Sequence, residues 1–278
     1  MTHDGVAGKG REDTPATGGE PVPFDAKVAN HARVYNYLLG GKDNYQADRA
    51  AGDAAIQAYP ATAYAARANR AFLARVVRYL AGEAGIRQFL DIGTGIPTAD
   101  NTHQVAQAVA PDCRIVYVDN DPVVLAHARA LLTSSPEGAT DYIDADLRDP
   151  EKILAAAART LDFSQPIAVM LIALLHVIGD EDDPRRSVAR LIDAVPSGSY
   201  LALTHVASDI EPEKVADAMG RLGRLGNRQG RSRSHAEVTR FFGKMELVEP
   251  GLVQVPQWRP DTEAERPVAM WGGVGRKH

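Results

Sequence analysis

Three apolar stretches of this chain each run into an aspartate, at nearly equal intervals, and that pattern limits the fold more than any other feature. Phe89-Leu90-Asp91 is followed by Gly93 and Gly95. Val116-Tyr117-Val118 ends in Asp119, 28 positions after Asp91, and a third segment reaches Asp146 another 27 positions on. A spacing near 28 residues is what one strand plus one crossover helix requires. Three segments between or after these strands open in a common way. Asp121-Pro122, Asp149-Pro150 and Asp183-Pro184 each place an aspartate where a helix needs a side-chain acceptor and a proline where no N–H is needed. The pattern therefore predicts parallel strands covered by helices on both faces.

The predicted strands are Gln88 to Asp91, Arg114 to Val118, Thr140 to Ile143, the continuously apolar Ile167 to Leu175, and Tyr200 to Thr204. Two more, Glu246 to Val255 and Val268 to Val274, read as a closing antiparallel pair. Ser234 to Glu237 is a capping box opening a short helix through Phe242. Ahead of the sheet, residues 26–82 read as a block of helices: one carrying Val34, Tyr37 and Leu38 and stopped by Gly40-Gly41, one over Asp43 to Ala58, and one over Ala61 to Ala81 with a stripe at Phe72, Val76, Tyr79 and Leu80. This gives a disordered tail at 1–25, a helical cap at 26–82 and an α/β domain at 83–278. The tail is rich in Gly, Pro, Thr and charge.

Composition excludes several classes. With 45% hydrophobic and 24% charged residues among 278, the chain has the balance of a globular domain. A net charge of -5 argues against a general nucleic-acid binder. The five arginines from Arg221 to Arg233 lack interleaved aromatics and read as a mobile, solvated loop. Cys113 is the only cysteine, so a reducing, cytoplasmic location is expected. No apolar run is long enough to span a membrane, and the first residues lack an apolar signal core. The histidines are scattered, and no paired Cys/His spacing suggests a metal.

The strand-end aspartates suggest a ligand. Glycines at 93 and 95 let the chain turn sharply and let a ligand approach the backbone, although a tight turn with no ligand fits the same residues. Asp119 can accept both hydroxyl protons of a ribose. Asp146 can accept a hydrogen bond from an adenine amine, or sit in a solvated turn. His176, following the fourth apolar segment, is a candidate general base or a hydrogen-bonded structural histidine. His205 lies at the equivalent place after the fifth and is the weaker candidate.

This constellation resembles the class I S-adenosylmethionine-dependent methyltransferases over roughly Arg87 to Lys277. The resemblance implies a Rossmann-like, seven-stranded, mostly parallel sheet with the last strand antiparallel. It also implies S-adenosylmethionine as cofactor, held by Asp91, Gly93, Thr94 and Gly95 at the methionine end, Asp119 and Asn120 at the ribose, and Asp146 and Leu147 at the adenine. The family's third glycine is replaced by Pro97, which removes an N–H and stiffens the loop. A second set of segments, Arg33 to Tyr45, Ala68 to Leu73, Asp91 to Asn101, Tyr117 to Pro122 and Asp144 to Pro150, resembles a bacterial S-adenosyl methyltransferase family first catalogued as a domain of unknown function. On that resemblance the N-terminal block becomes a lid, with Tyr37 a catalytic candidate and Lys42, Asn44 and Tyr45 lining the substrate site. A helix terminated by Gly40-Gly41 with solvated polar residues is the alternative. The expected activity is methyl transfer to a small-molecule acceptor. A non-catalytic cofactor-binding regulator keeps the same aspartates. A nicotinamide dehydrogenase would need a further glycine that the turn lacks.

Overall fold

The computed structural model describes residues 25–131, 133–226, 230–261 and 266–278. The expected tail at 1–25 falls almost wholly outside the described residues, as does part of the arginine-rich segment. Among the described residues, eight strands form one sheet. They are β1 (Gln88–Ile92), β2 (Arg114–Asp119), β3 (Ala139–Asp144), β4 (Ala168–Leu171), β5 (Tyr200–Val206), β6 (Glu246–Leu247), β7 (Val253–Gln254) and β8 (Met270–Arg276). The order across the sheet is β3-β2-β1-β4-β5-β8-β6, with β7 also paired to β8. The first five are parallel and β8 runs antiparallel to β5. The strand order reverses between β1 and β4, the position where open α/β sheets leave a crevice beyond the carboxyl ends of their strands.

The helices are α1 (His31–Leu38), α2 (Gln46–Ala58), α3 (Thr62–Arg78), α4 (Thr102–Val109), α5 (Pro122–Leu131), α6 (Pro150–Ala157), α7 (Pro184–Ala194), α8 (Pro212–Leu225) and α9 (His235–Thr239). The aspartate caps form as the sequence predicts. Asp121 accepts from the Val123 N–H, Asp149 from Lys152 and Asp183 from Arg186. The Ser234–Glu237 capping box also forms.

Strand periodicity divides the core into two layers. Leu90, Val116, Val169 and Leu201 face α6 and α7. Phe89, Ile115, Met170 and Ala202 face the stripe of α3 that carries Phe72, Val76 and Leu80. Phe72 is fully buried and meets the Trp258 ring edge-on at 5.5 Å. The alternation also decides where the aspartates go. Asp91 follows Phe89 and Asp119 follows Tyr117 by two residues, so both point to the α3 and α4 side of the sheet. Above that side, α1 and α2 pack on one another and on α8 through Ala51, Ala55, Val215 and Leu222.

Four sequence expectations are corrected. Strand β4 ends at Leu171, not Leu175: Ala173 takes a left-handed φ of 55° and the chain leaves the sheet in a 3-10 turn, Leu175–Val177. That turn is as apolar as a strand, so composition could not separate them. The first residues of the expected arginine-rich loop, Arg221 to Leu225, are the last turn of α8. The single edge strand expected over Glu246 to Val255 is two short strands, both on β8. Helix α3 ends at Arg78 and widens into a π turn, Tyr79–Glu83. No helix among the described residues is long and apolar enough to cross a membrane.

Candidate functional site

The crevice at the reversal point is a cleft of about 570 Å³. Its floor is built by the ends of β1, β2 and β4. Beyond Ile92, Gly93 and Gly95 both adopt left-handed backbone, with φ of 74° and 66°. The Gly93 N–H donates to the Val118 carbonyl at 2.7 Å, which folds the turn back over β2. A side chain at Gly93 would strike Leu174, whereas one at Gly95 would meet only open space in the cleft.

Asp119 organises this corner. Its Oδ2 accepts the Gly95 N–H and its Oδ1 the Asp121 N–H, both at 2.9 Å. Asp91 Oδ2 accepts the Thr102 hydroxyl at 2.6 Å. Both carboxyls are buried, and burial is the chief reason that each is pushed up to about 6. Thr102 and the Arg70 guanidinium oppose the shift at Asp91; the two N–H donors oppose it at Asp119. Arg70 itself donates to the carbonyls of Ala99 and Asp100, bracing the loop after Gly95. Two buried carboxyls at one cleft suit a ligand that brings both a cation and hydroxyl donors.

Asp146 also reaches the cleft, but its oxygens are already engaged. Arg148 donates to both of them and Asn120 donates to Oδ2 at 2.6 Å, so Asp146 is held down at about 2, with the Arg148 hydrogen bonds the main cause. Asn120 and Leu147 line the cleft beside it. The eight residues expected at the cofactor, Asp91, Gly93, Thr94, Gly95, Asp119, Asn120, Asp146 and Leu147, are thus brought to one cavity.

The opposite wall comes from the N-terminal helices. Asn30 caps α1, which lies across the cleft and presents His31, Tyr35 and Leu38 to it. Tyr35 donates to the Ala66 carbonyl and accepts from Asn69, whose own Oδ1 is buried without a partner. Sequence reasoning gave no site role to His31, Tyr35, Asn69 or Arg70, although the last three lie in segments that carry the family resemblance. The signal was the four-residue spacing of His31 and Tyr35, which puts them on one face.

Tyr37, Lys42, Asn44 and Tyr45 lie outside the cleft lining among the described residues. The Tyr37 hydroxyl donates to exposed Asp53 and its ring lies against Gly52. Asn44 donates to Asn36 and to the Gly41 carbonyl, Lys42 is exposed, and Tyr45 lies under the Arg33 guanidinium. Gly41 has no side chain because a Cβ there would collide with the Asn36 amide. This polar motif holds α1 to α2. Its buried centre is Arg33, which contacts Asp48 at 3.0 Å and Asp121 at 3.6 Å, so the cap is latched to the corner that Asp119 organises.

His176 does line the cleft, from the 3-10 turn after β4 rather than from the strand itself. Its Nδ1 is buried with no partner, and burial holds the ring neutral, aided by His205, His31 and Arg233 nearby. His205 is fully buried on β5 against Arg233, away from the cleft lining.

A family model described as S-adenosyl methyltransferase matches residues 18–278 of the chain. A DUF574 family protein from Streptomyces avermitilis is 48% identical over 91% of this chain and 99% of its own, with a TM-score of 0.88. A methyltransferase candidate from Thermobifida fusca is 44% identical over 91% and 96%, with a TM-score of 0.83. Human N-acetylserotonin methyltransferase in complex with SAM shares the fold at 13% identity, covering 87% of this chain and 62% of its own, with a TM-score of 0.50. No curated protein matches the chain.

Proposed function

Since this chain belongs to the S-adenosyl methyltransferase family, we propose that it methylates a small-molecule acceptor bound under helix α1, with the cofactor held along the ends of β1, β2 and β3. The enzyme is S-adenosylmethionine-dependent, so the readings as a cofactor sensor or a nicotinamide dehydrogenase are set aside.

One observation carries the placement. The buried residues Asp91 and Asp119, together with His176, whose Nδ1 has no partner, line a single cleft of about 570 Å³. That is the size of an ordinary small-ligand site. The cofactor's fit follows from the residues. Asp91 is the buried anion for the methionine ammonium, and such a charge-assisted bond is worth roughly twice a neutral one. Asp119, already turned toward the glycine loop, takes the ribose hydroxyls. The open space above Gly95 leaves room for the cofactor chain to lie against the backbone. Asp146 and Asn120 bound the adenine end as a preformed pair with Arg148.

Bound S-adenosylmethionine supplies an electrophilic sulfonium methyl, so the protein's task is mainly alignment and exclusion of water. Helix α1, held down by Arg33, roofs the cleft. Val34, Leu38, Leu73, Ile172 and Val177 give the acceptor side an apolar lining. Neutral His176 is placed to take the proton of an acceptor O–H or N–H, which an imidazolium could not do. The lone, buried Cys113, pushed up to about 11 by burial, suits a reducing cytoplasm.

Two measurements test this. Calorimetry with S-adenosylhomocysteine should show saturable heat, and NAD should show none; heat from NAD alone would remove the cofactor assignment. Incubation with methyl-tritiated cofactor and a bacterial extract, followed by ultrafiltration, should leave label in the filtrate. Label retained on protein or RNA would overturn the small-molecule acceptor.

A further inference from the structure

The segment Gly230 to Arg233 was expected to be a solvated loop, yet Arg233 is 4% exposed. All four hydrogens on its two terminal nitrogens are used. Nη1 donates to the Leu175 carbonyl and to His205 Nε2, both at 2.9 Å. Nη2 donates to the Ile178 carbonyl at 3.1 Å and to Asp180 Oδ1 at 2.7 Å. Three of these four acceptors belong to the turn that carries His176 or to its immediate continuation. The backbone alongside follows the same path: the Arg231 N–H donates to the His176 carbonyl at 2.8 Å, and Arg231 also pairs with Asp180. Gly230 lies so close that a Cβ there would collide with the His176 carbonyl oxygen.

The fourth acceptor ties the clasp to the sheet. His205 Nδ1 faces the Val206 carbonyl at 2.9 Å, which can only accept, so Nδ1 carries the proton and Nε2 presents its lone pair to Arg233. Burial and Arg233 hold His205 at about 4, neutral at working pH. The two imidazoles stand 5.9 Å apart, edge to face, and Phe241 stacks on the far side of His205. Strand β5, Arg233 and the turn are thus one rigid unit.

We propose that Arg233 is a positioning residue of the methyl-transfer site: its guanidinium fixes the turn Leu175–Val177 against β5 and so presents His176 to the acceptor. This rests on the reading of the cleft given above. A lysine could not substitute fully, because one ammonium cannot reach four acceptors in a planar fork. The cation has a second effect. The groups facing His176 are His31 from α1, His205 from β5 and Arg233, while Asp180 and Glu237 lie on the Arg231–Arg233 side. Arg233 is the one permanently charged cation of this set, and it disfavours a second proton on the ring as a smaller effect than burial.

The test is long-range proton–nitrogen NMR of the His176 imidazole against pH, with amide exchange of the Arg231 N–H. In the native protein the ring should stay neutral into mildly acidic solution. In Arg233→Gln its titration should move up only slightly, because burial remains, while the ring resonances should shift and the Arg231 amide should exchange at least about tenfold faster. Arg233→Lys, keeping the charge, should restore the native titration but not the slow exchange. S-adenosylhomocysteine affinity should stay within about twofold in both, because its residues lie at β1 to β3. Should Arg233→Gln fail to fold, Gly230→Ala supplies the test: its Cβ must displace the His176 backbone and shift the His176 ring resonances. Ring resonances and Arg231 exchange both unchanged in a folded Arg233→Gln, or ring resonances unmoved in Gly230→Ala, overturns the proposal. Failure of S-adenosylhomocysteine to bind the native protein would instead overturn the cleft assignment and leave the Arg233 result standing.

Discussion

Cofactor binding should release protons in mildly acidic solution, because Asp91 and Asp119 are both pushed up to about 6 in the free protein. Asp91 gives the cleaner case. When the methionine ammonium docks beside it, the carboxylate form is favoured and its pKa should fall back to the ordinary carboxylate range, near 4. A single group making that change carries about half a proton at pH 6 and about nine-tenths at pH 5, and gives them up on binding. Affinity should then fall about tenfold between pH 7 and pH 5, equivalent to about 1.4 kcal/mol. If the ribose hydroxyls draw Asp119 into its ionised form as well, the two effects multiply toward about a hundredfold. The assay is calorimetric titration of S-adenosylhomocysteine at pH 5, 6 and 7.5, each in two buffers of different ionisation enthalpy, so that the difference in heat counts the protons released. Asp91→Asn should abolish the share due to Asp91. Equal heats in both buffers at pH 5, with affinity unchanged from pH 7.5, would refute the reasoning, for then neither carboxyl changes its proton when the ligand arrives.

The same burial makes Asp91 a cost to the empty protein. The folded state holds the Asp91 proton more tightly than the unfolded chain does, so stability falls as pH rises between about 4 and 6, and the cost is full above that window. Asp91→Asn should therefore stabilise the apoprotein at pH 7.5 by about 1–3 kcal/mol, and by less at pH 5, as thermal unfolding would read; a lower Tm at pH 7.5 would contradict this. Asp119→Ala should weaken S-adenosylhomocysteine by about a hundredfold, since a buried charged acceptor is lost, whereas Asp146→Asn should cost under about tenfold because Arg148 and Asn120 already occupy that carboxylate. A larger loss at Asp146 than at Asp119 would reverse these roles. Gly95→Ala puts a side chain at a φ of 66° and into the space above the turn, so it should lower stability by about 1 kcal/mol and weaken the cofactor further. Phe72→Ala, in the fully buried layer between α3 and the sheet, should cost about 3–5 kcal/mol in denaturant unfolding, with the midpoint moving and the slope unchanged.

The parts of this molecule that were legible in its sequence are those decided within one strand or one helix turn. A strand end needs an acid or a glycine at a fixed position, and a helix start needs a cap. Asp91, Asp119 and the three Asp-Pro pairs could therefore be located by reading along the chain. The alternation of side chains then sends Asp91 and Asp119 to one face without further information. Burial alone was less informative. Ile167 to Leu175 is apolar throughout, but only Ala168–Leu171 is strand, because a buried turn and a buried strand draw on the same residues. Helix α8 was hidden because its apolar stripe, Val215, Ala218 and Leu222, is thin and its end is rich in arginine and glycine.

What the sequence concealed most completely was the division of labour between the polar residues. The segment Arg33 to Tyr45 is dense in functional groups, and density suggested a substrate-binding lid. In the fold these groups largely satisfy one another: Asn36 with Asn44, Tyr37 with Asp53, Arg33 with Asp48. Arg233 shows the converse. Among neighbouring arginines it read as solvated charge, yet among the described residues of that segment it is the one whose guanidinium is enclosed, because two carbonyls, an imidazole lone pair and a carboxylate converge there in the geometry of a planar fork. A polar side chain belongs to a site when its hydrogen-bonding capacity is left over after folding, as at His176 Nδ1 and Asn69 Oδ1, and to the scaffold when that capacity is spent. Residue type and spacing fix the capacity, while the remainder depends on contacts between segments far apart in the chain, 58 positions in the case of Arg233 and Leu175. Periodicity can find the strand ends, but the residues that keep His176 in place become visible only once those distant segments meet.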